Sequence, residues 1–200
     1  MKGLYSFLIL MAVVALMPTM VMAAAHSDHG CAICHTPHKA VSDTVPLWNG
    51  AQTTATFTMY SSDHFTNELG MSVSMPTGSS KLCLSCHDGT TNTSETFTDT
   101  NDILGNNLSG SHPISFVYDA SLVAKDATLK SIASPSNLPG GGTIEHDLLD
   151  SNKELQCSGC HDPHTSAVAG TKYLRYYYFP ANISGITRDR GTFCQTCHLR

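Results

Sequence analysis

The chain has few charged and few aromatic residues, and the charges it carries are mainly acidic. Only 14% of its 200 residues are charged, and 11 Lys and Arg stand against 16 Asp and Glu. Aromatic residues make up 8% of the chain, with a single Trp. A net charge of −5 repels the phosphates of nucleic acid, so we exclude a nucleic-acid partner.

Long apolar runs are also missing, apart from one near the start of the chain. Residues 4–17 are mostly apolar, follow Lys2, and precede the small residues Ala23, Ala24 and Ala25. This order is typical of a secretory signal, and the run is too short to cross a bilayer. We therefore predict a signal peptide over residues 1–25 and one domain over residues 26–200 without a transmembrane segment. The expected location is the cell surface or the extracellular space, with the periplasm as the alternative.

No cysteine lies outside four short Cys-x-x-Cys-His motifs, which we number 1 to 4 in chain order. This is the attachment sequence of covalent c-type haem. Cysteines three positions apart share one face of a helical turn, so both thiols can bond one porphyrin, with the histidine below the iron as its proximal ligand. The motif residues are Cys31, Cys34, His35; Cys83, Cys86, His87; Cys157, Cys160, His161; and Cys194, Cys197, His198.

Zinc sites and disulfides are the two alternatives, because both also use paired cysteines. Neither explains why a histidine follows every pair. We therefore predict four haem c groups, numbered as their motifs. A chain this short with long polar connections needs the macrocycles as part of its core. The expected fold class is a multihaem cytochrome c, with mostly irregular loops, short helices and a few short strands wrapped around four haems. We expect its apoprotein to be largely unfolded.

Local patterns predict a few regular elements. Apolar and polar residues alternate over residues 54–60 and 114–118, which predicts two strands. Residues 121–132 are compatible with a short helix, and the turn-forming residues 135–142 follow it. The aromatic run 173–179 is strand-like, and it either packs against a haem or forms a subunit contact.

Seven histidines remain beyond the motifs, whereas four irons need at most four more ligands. They outnumber the methionines at positions 59, 71 and 75, so we predict two histidine ligands at every iron. An iron held in this way exchanges electrons but has no vacant position for a substrate. The sequence thus predicts electron transfer rather than an enzyme. The spare histidines are His26, His29, His38, His64, His112, His146 and His164.

Two of the spare histidines occupy the same place in a repeat. His38 follows motif 1 as Thr-Pro-His, and His164 follows motif 3 as Asp-Pro-His. A residue three positions beyond a proximal histidine cannot reach the other face of the same porphyrin, so each must ligate a different haem. His112 is a third distal candidate, since Pro113 fixes the local backbone. We expect one of the N-terminal pair to be the fourth ligand; the candidates are His26 and His29, with His64 and His146 as alternatives.

Several segments together resemble the OmcE-like extracellular tetrahaem c-type cytochromes. They are motifs 1 and 3 with their histidine extensions, residues 45–49 (Val-Pro-Leu-Trp-Asn), residues 60–62, residues 81–90 around motif 2, and residues 111–113. The resemblance implies head-to-tail filaments with one continuous haem stack, in which a histidine of one subunit ligates an iron of the next. It also implies a loop-rich fold with the motif histidines as proximal ligands and His38, His112 and His164 as distal ligands. The intersubunit ligand then lies between His26 and His29.

Two functions use the same residues. The first is an extracellular, electron-conducting homopolymer that exchanges electrons with other redox proteins. The alternative is a soluble periplasmic tetrahaem shuttle between a quinol oxidase and a terminal reductase. The two differ in whether all four irons find their ligands within one chain. A multihaem reductase would need an iron with an open position, which the surplus of histidines does not favour.

Overall fold

The computed structural model describes residues 26, 30–38, 40, 47–91, 102–138, 141–164, 172–175 and 193–199. The predicted signal peptide, His29 and most of the aromatic run lie outside the described residues. Within these ranges no helix has both the length and the apolar character needed to cross a membrane.

Regular elements are short throughout the described ranges, and the longest has 10 residues. Turns and irregular segments connect them. In chain order they are a 3-10 helix Cys31–Ile33, a π-helix Asp63–Glu68, α1 Gly78–His87, β1 Phe116–Val117, α2 Ala120–Lys125, α3 Ile144–Leu148, β2 Glu154–Leu155 and α4 Cys157–Cys160.

A polar side chain caps the N-terminus of three of these helices. Ser62 Oγ accepts a hydrogen bond from the backbone of the π-helix at 3.1 Å. Asp119 accepts one at 2.9 Å at the start of α2, and Thr143 one at 3.2 Å at the start of α3. Such caps satisfy backbone N–H groups that have no partner inside the helix, which fixes where each helix starts.

The strand predicted over residues 114–118 is confirmed at its centre. β1 pairs with β2 in antiparallel register, with Phe116 opposite Leu155 and Val117 opposite Glu154. Phe116 and Tyr118 are buried whereas Val117 is exposed, as the alternation predicted.

The strand predicted over residues 54–60 is wrong. Thr58 makes only an isolated bridge to Asn107 there. The alternation correctly indicated which side is buried, because Phe57 is buried and Thr58 is exposed. The segment therefore packs one face inward without a neighbouring strand to extend the ladder. The helix predicted over residues 121–132 is confirmed only in part, since it ends at Lys125 and a turn leads from there to a bridge with motif 4.

The main apolar core lies beside motifs 3 and 4. Side chains of the π-helix, β1, β2, α2 and α3 form it, and Cys160 and Cys197 pack against it. A smaller cluster beside motif 2 contains Phe57, Leu84 and Leu108. The motif cysteines therefore border packed protein. The buried members of the main cluster are Phe65, Leu69, Phe116, Tyr118, Leu122, Leu138, Ile144, Leu148, Leu155 and Phe193.

Candidate functional site

The helical turn predicted for the motifs is confirmed. Motif 1 begins with the 3-10 helix, motif 2 ends α1, and motif 3 contains α4. In motifs 1, 3 and 4 the backbone N–H of the histidine donates to the carbonyl of the first cysteine, at 2.9, 2.9 and 3.0 Å. This turn brings the two thiols to one side and the histidine directly after them, as attachment to one porphyrin requires.

None of the eight cysteines forms a disulfide bond in the structure. Burial raises the pKa of Cys160 to about 12 and that of Cys197 to about 11. The interaction between the neighbouring Cys83 and Cys157 side chains raises the pKa of Cys83 and lowers that of Cys157 to about 7. The first cysteines of motifs 2 and 3 are therefore neighbours in space.

A buried glutamine holds motifs 2 and 3 together. Gln156 is 2% exposed, and its Oε1 accepts hydrogen bonds from Ser80 of α1 at 2.6 Å and from Ser115 at 3.0 Å. Its Nε2 donates to Asp150 at 2.9 Å. Ser80 Oγ in turn accepts from the backbone N–H of Cys157 at 2.9 Å. This network fixes the spacing of the two motifs, and nothing in the local sequence pattern predicted it.

Backbone carbonyls orient two of the proximal histidines. His87 Nδ1 lies 2.6 Å from the carbonyl oxygen of Asp102, and His161 Nδ1 lies 2.6 Å from that of Lys172. A carbonyl oxygen only accepts, so Nδ1 carries the proton and Nε2 keeps its lone pair for a metal. Burial lowers the pKa of His198, and nearby His112 lowers it further, which favours the neutral form that a metal requires.

Residues 47–49 hold motif 1 from the outside. The backbone N–H of Thr36 donates to the carbonyl of Leu47 at 2.7 Å, and that of Asn49 donates to the carbonyl of Cys34 at 2.8 Å. Asn49 Nδ2 also donates to the carbonyl of Ala32 at 2.5 Å. In the sequence, this segment was notable only through the family resemblance. Its hydrogen bonds show that it stabilises the backbone of motif 1.

Three spare histidines lie opposite three proximal histidines. The three pairs have similar separations between ring centroids, but their rings make different interplanar angles. The pairs are His35 with His164 at 6.0 Å and 15°, His26 with His87 at 6.0 Å and 47°, and His112 with His198 at 6.3 Å and 75°.

These separations match two imidazoles on opposite sides of one metal ion. A metal–imidazole bond of about 2.0 Å, with about 1.1 Å from that nitrogen to the ring centroid, places the two centroids about 6.2 Å apart. The angle between the ring planes is free in such an arrangement, because both planes contain the axis through the metal. The donor set and its spacing therefore fit an iron between each pair.

Contacts to the protein hold two of the spare histidines in place. His112 Nδ1 donates to the carbonyl of Pro113 at 2.8 Å. The backbone N–H of His26 donates to Tyr173 Oη at 2.8 Å, and the two rings meet edge to face at 4.8 Å. Tyr173 is the first residue of the aromatic run, for which the sequence left two roles open. In the structure Tyr173 contacts His26, one of the candidate iron ligands.

His38 and His164 sit in equivalent turns, as their repeat suggested. The backbone N–H of His38 donates to Thr36 Oγ1 at 3.4 Å, and that of His164 donates to Asp162 Oδ1 at 3.0 Å. His164 follows motif 3 in sequence, yet its ring lies opposite that of the histidine of motif 1. In the described part of the chain, neither exposed His38 nor His161 belongs to a ring pair of this kind.

The two alternative candidates are less suited to bind iron. His64 has both ring nitrogens engaged, Nδ1 with Glu68 at 2.6 Å and Nε2 with Asp126 at 3.3 Å. Its hydrogen bond to Glu68, followed by that to Asp126, raises the pKa of His64 and favours the protonated form, which is not a metal ligand. His146 is 82% exposed and contacts Asp147 at 2.7 Å.

Large apolar side chains are exposed beside three motifs. Single exposed apolar side chains are common on protein surfaces, but a porphyrin bound at these motifs would offer them an apolar face. They are Ile33 and Leu47 at motif 1, Ile103 and Leu104 at motif 2, and Leu199 at motif 4. Across the described ranges no three His, Cys, Asp or Glu side chains converge on one point. Comparisons with protein-family models and with curated proteins found no match for this chain.

Proposed function

We propose that the chain is a multihaem cytochrome c for electron transfer. It binds four covalent haem c groups, each with its iron between two histidines, and copies of it assemble into an extracellular filament. The observation that carries the proposal is the set of three histidine pairs at 6.0 to 6.3 Å, each joining a motif histidine to a spare histidine.

The residues of the chain favour electron exchange over catalysis. A bound haem supplies one-electron exchange between ferric and ferrous iron. The carbonyls that hold the Nδ1 protons of His87 and His161 keep these imidazoles in the tautomer that ligates through Nε2. A second histidine on the other side occupies the position that a substrate would need. The chain therefore supplies the iron ligands and the protein that surrounds the haems, and we assign no residue to making or breaking bonds of a substrate.

Elimination supports an assembly from head to tail. The three pairs supply both ligands for haems 1, 2 and 4, which leaves haem 3 with His161 alone. Among the residues that the structure describes, His38 is the remaining candidate in an equivalent turn, and it is exposed. We infer that His38 of one copy ligates haem 3 of the next. The pairing of His26 with His87 favours His26 as an intrachain ligand of haem 2, so among the described residues we infer the intersubunit role for His38. His29, the other residue expected for that role, lies outside the described residues.

Export is the remaining part of the proposal, and it rests on the predicted signal peptide. Covalent haem attachment takes place outside the cytoplasm, which agrees with a secreted chain. The net charge of −5 disfavours nucleic acid as a partner, and we infer that the haems exchange electrons with other redox proteins.

Replacing His38 tests the proposed function. The secreted wild-type protein should carry four haems by mass, give only low-spin ferric signals in EPR, and form filaments in negative stain. His38→Ala should keep four haems but show one high-spin iron and no filaments. His146→Ala is the matched control, because it removes an exposed histidine that pairs with no motif.

Three outcomes would redirect the account. Filaments and a low-spin spectrum that persist in His38→Ala would place the intersubunit ligand elsewhere. A wild-type monomer with four low-spin irons would favour the periplasmic shuttle, with His38 serving haem 3 of its own chain. A mass with fewer than four haems would contradict both.

A further inference from the structure

The indole of Trp48 carries a buried hydrogen-bond donor that has no acceptor in the described part of the chain. Trp48 is the only Trp of the chain and lies in the segment that is hydrogen-bonded to motif 1. Its Nε1 is closed to solvent and meets no acceptor among the described residues. Buried N–H groups in folded proteins nearly always have a partner, so an orphaned one indicates a group that binds there.

The chemistry of the missing acceptor follows from the proposed cofactor. Each haem brings two propionate carboxylates, which accept hydrogen bonds and do not donate them. The chain has few cations to meet them. Five of the six Lys and Arg side chains in the described ranges already donate to protein oxygens, so within these ranges neutral donors are the main groups left for the propionates. These pairs are Lys125 with Leu69 O, Lys130 with Gln195 O, Lys153 with Glu145, Lys172 with Asp102, and Arg175 with Asp147 O.

We propose that Trp48 Nε1 donates a hydrogen bond to a haem propionate, which makes Trp48 a positioning residue for the cofactor beside motif 1. The inference rests on the proposed function, because it needs the haem to be present. Backbone hydrogen bonds of Leu47 and Asn49 to motif 1, and the bridge between Trp48 and His35, fix the backbone that carries the indole beside the motif. A donor fixed in this way favours the ionised propionate over the protonated one.

The single Trp makes the proposal directly measurable in the wild-type holoprotein. Ultraviolet resonance Raman spectra contain an indole band that reports the hydrogen bond of Nε1. We expect a strongly hydrogen-bonded N–H at neutral pH, which weakens as the pH falls through the titration of the propionate. A band typical of a water-bonded or free indole, or one that does not respond to pH, would overturn the proposal.

Trp48→Phe provides the second measurement, because it removes the donor and keeps an aromatic ring. The propionate pKa, read from the pH dependence of one haem's reduction potential, should rise by about one unit. This is a tenfold change in proton affinity. Leu47→Met is the control, since it alters the neighbouring exposed side chain and leaves the indole in place. An unchanged pH profile in Trp48→Phe would also overturn the proposal.

The outcomes separate this inference from the proposed function. Four haems by mass with a water-bonded indole would remove only the role of Trp48. Fewer than four haems would remove the proposed function, whatever the Raman band shows. If Trp48→Phe does not assemble, the wild-type Raman titration still decides.

Discussion

The carboxylate of Asp88, directly after motif 2, should stabilise the fold in a pH-dependent way. Its side chain is 2% exposed, and it accepts four hydrogen bonds. Burial alone would raise its pKa, but these bonds outweigh burial and lower the pKa of Asp88 from 3.8 to about 2. The donors are Thr53 Oγ1 at 2.5 Å, Thr90 N at 2.7 Å, Thr91 N at 2.9 Å and Thr91 Oγ1 at 2.6 Å.

The pKa difference sets the size and the sign of the effect. A fall from 3.8 to about 2, at about 1.36 kcal/mol per pH unit, corresponds to about 2 kcal/mol of folding free energy. Because the folded pKa is the lower one, this stability is present above about pH 4. It is lost as the pH falls through about 2.

Asp88→Asn tests the effect, because it keeps the shape of the side chain and removes its charge. Urea unfolding of the holoprotein, followed by far-ultraviolet circular dichroism, gives the free energy of unfolding at each pH. The variant should be less stable than wild type by about 2 kcal/mol at pH 7, and the difference should shrink towards zero near pH 2. Asp63→Asn is the control, an exposed carboxylate whose loss should change stability by less than about 0.5 kcal/mol.

A difference between wild type and Asp88→Asn that stays constant from pH 7 to pH 2 would refute the reasoning. It would mean that the three threonines stabilise the fold through the shape of the Asp88 side chain rather than through its negative charge. An equal pH-dependent loss in Asp63→Asn would also refute it, because the effect would then belong to the overall charge.

Two further changes test the contacts of the site. His164→Met should raise the reduction potential of haem 1 and leave that of haem 3 unchanged, because methionine ligation favours ferrous iron. A redox titration with the haems assigned by NMR checks this prediction. A rise in the potential of haem 3 would contradict the ring pairing. Gln156→Leu leaves two buried hydroxyls without their acceptor, at about 1–3 kcal/mol each, so it should destabilise the holoprotein by about 3 kcal/mol in urea unfolding. Exposed Gln195→Leu is its control, and an equal loss in both variants would contradict the role of the buried network.

Local signals predicted the parts of the structure that depend on spacing. The Cys-x-x-Cys-His spacing predicted helical turns because its residues are neighbours along a helix. The alternating pattern predicted one strand around Phe116, which the structure confirms, and another around Phe57, where no strand forms. The two segments differ in having a partner, since Leu155 lies opposite Phe116 and only a single bridge forms near Phe57. A period-two pattern reports which face is buried and cannot report whether a neighbouring strand exists.

The pairing of histidines depends on tertiary structure, and the sequence could only narrow it. The repeat around His38 and His164 predicted that each serves a different haem, and the ring separation then favours haem 1 for His164. Nothing in the pattern around His26 distinguished a ligand in its own chain from one in a neighbour. That distinction depends on Tyr173, which lies far away along the chain and contacts the His26 ring. Gln156 and residues 47–49 also act through contacts with residues far away along the chain. The local sequence pattern therefore could not predict their roles.

The central claim is that each of four irons lies between two imidazoles. Near-infrared magnetic circular dichroism of the oxidised, purified holoprotein tests this claim most directly, because the position of the charge-transfer band identifies the axial ligands of low-spin ferric haem. We expect intensity equivalent to four irons, all at the position for two histidines. A methionine–histidine band, or a high-spin contribution from any iron in the assembled protein, would contradict the account.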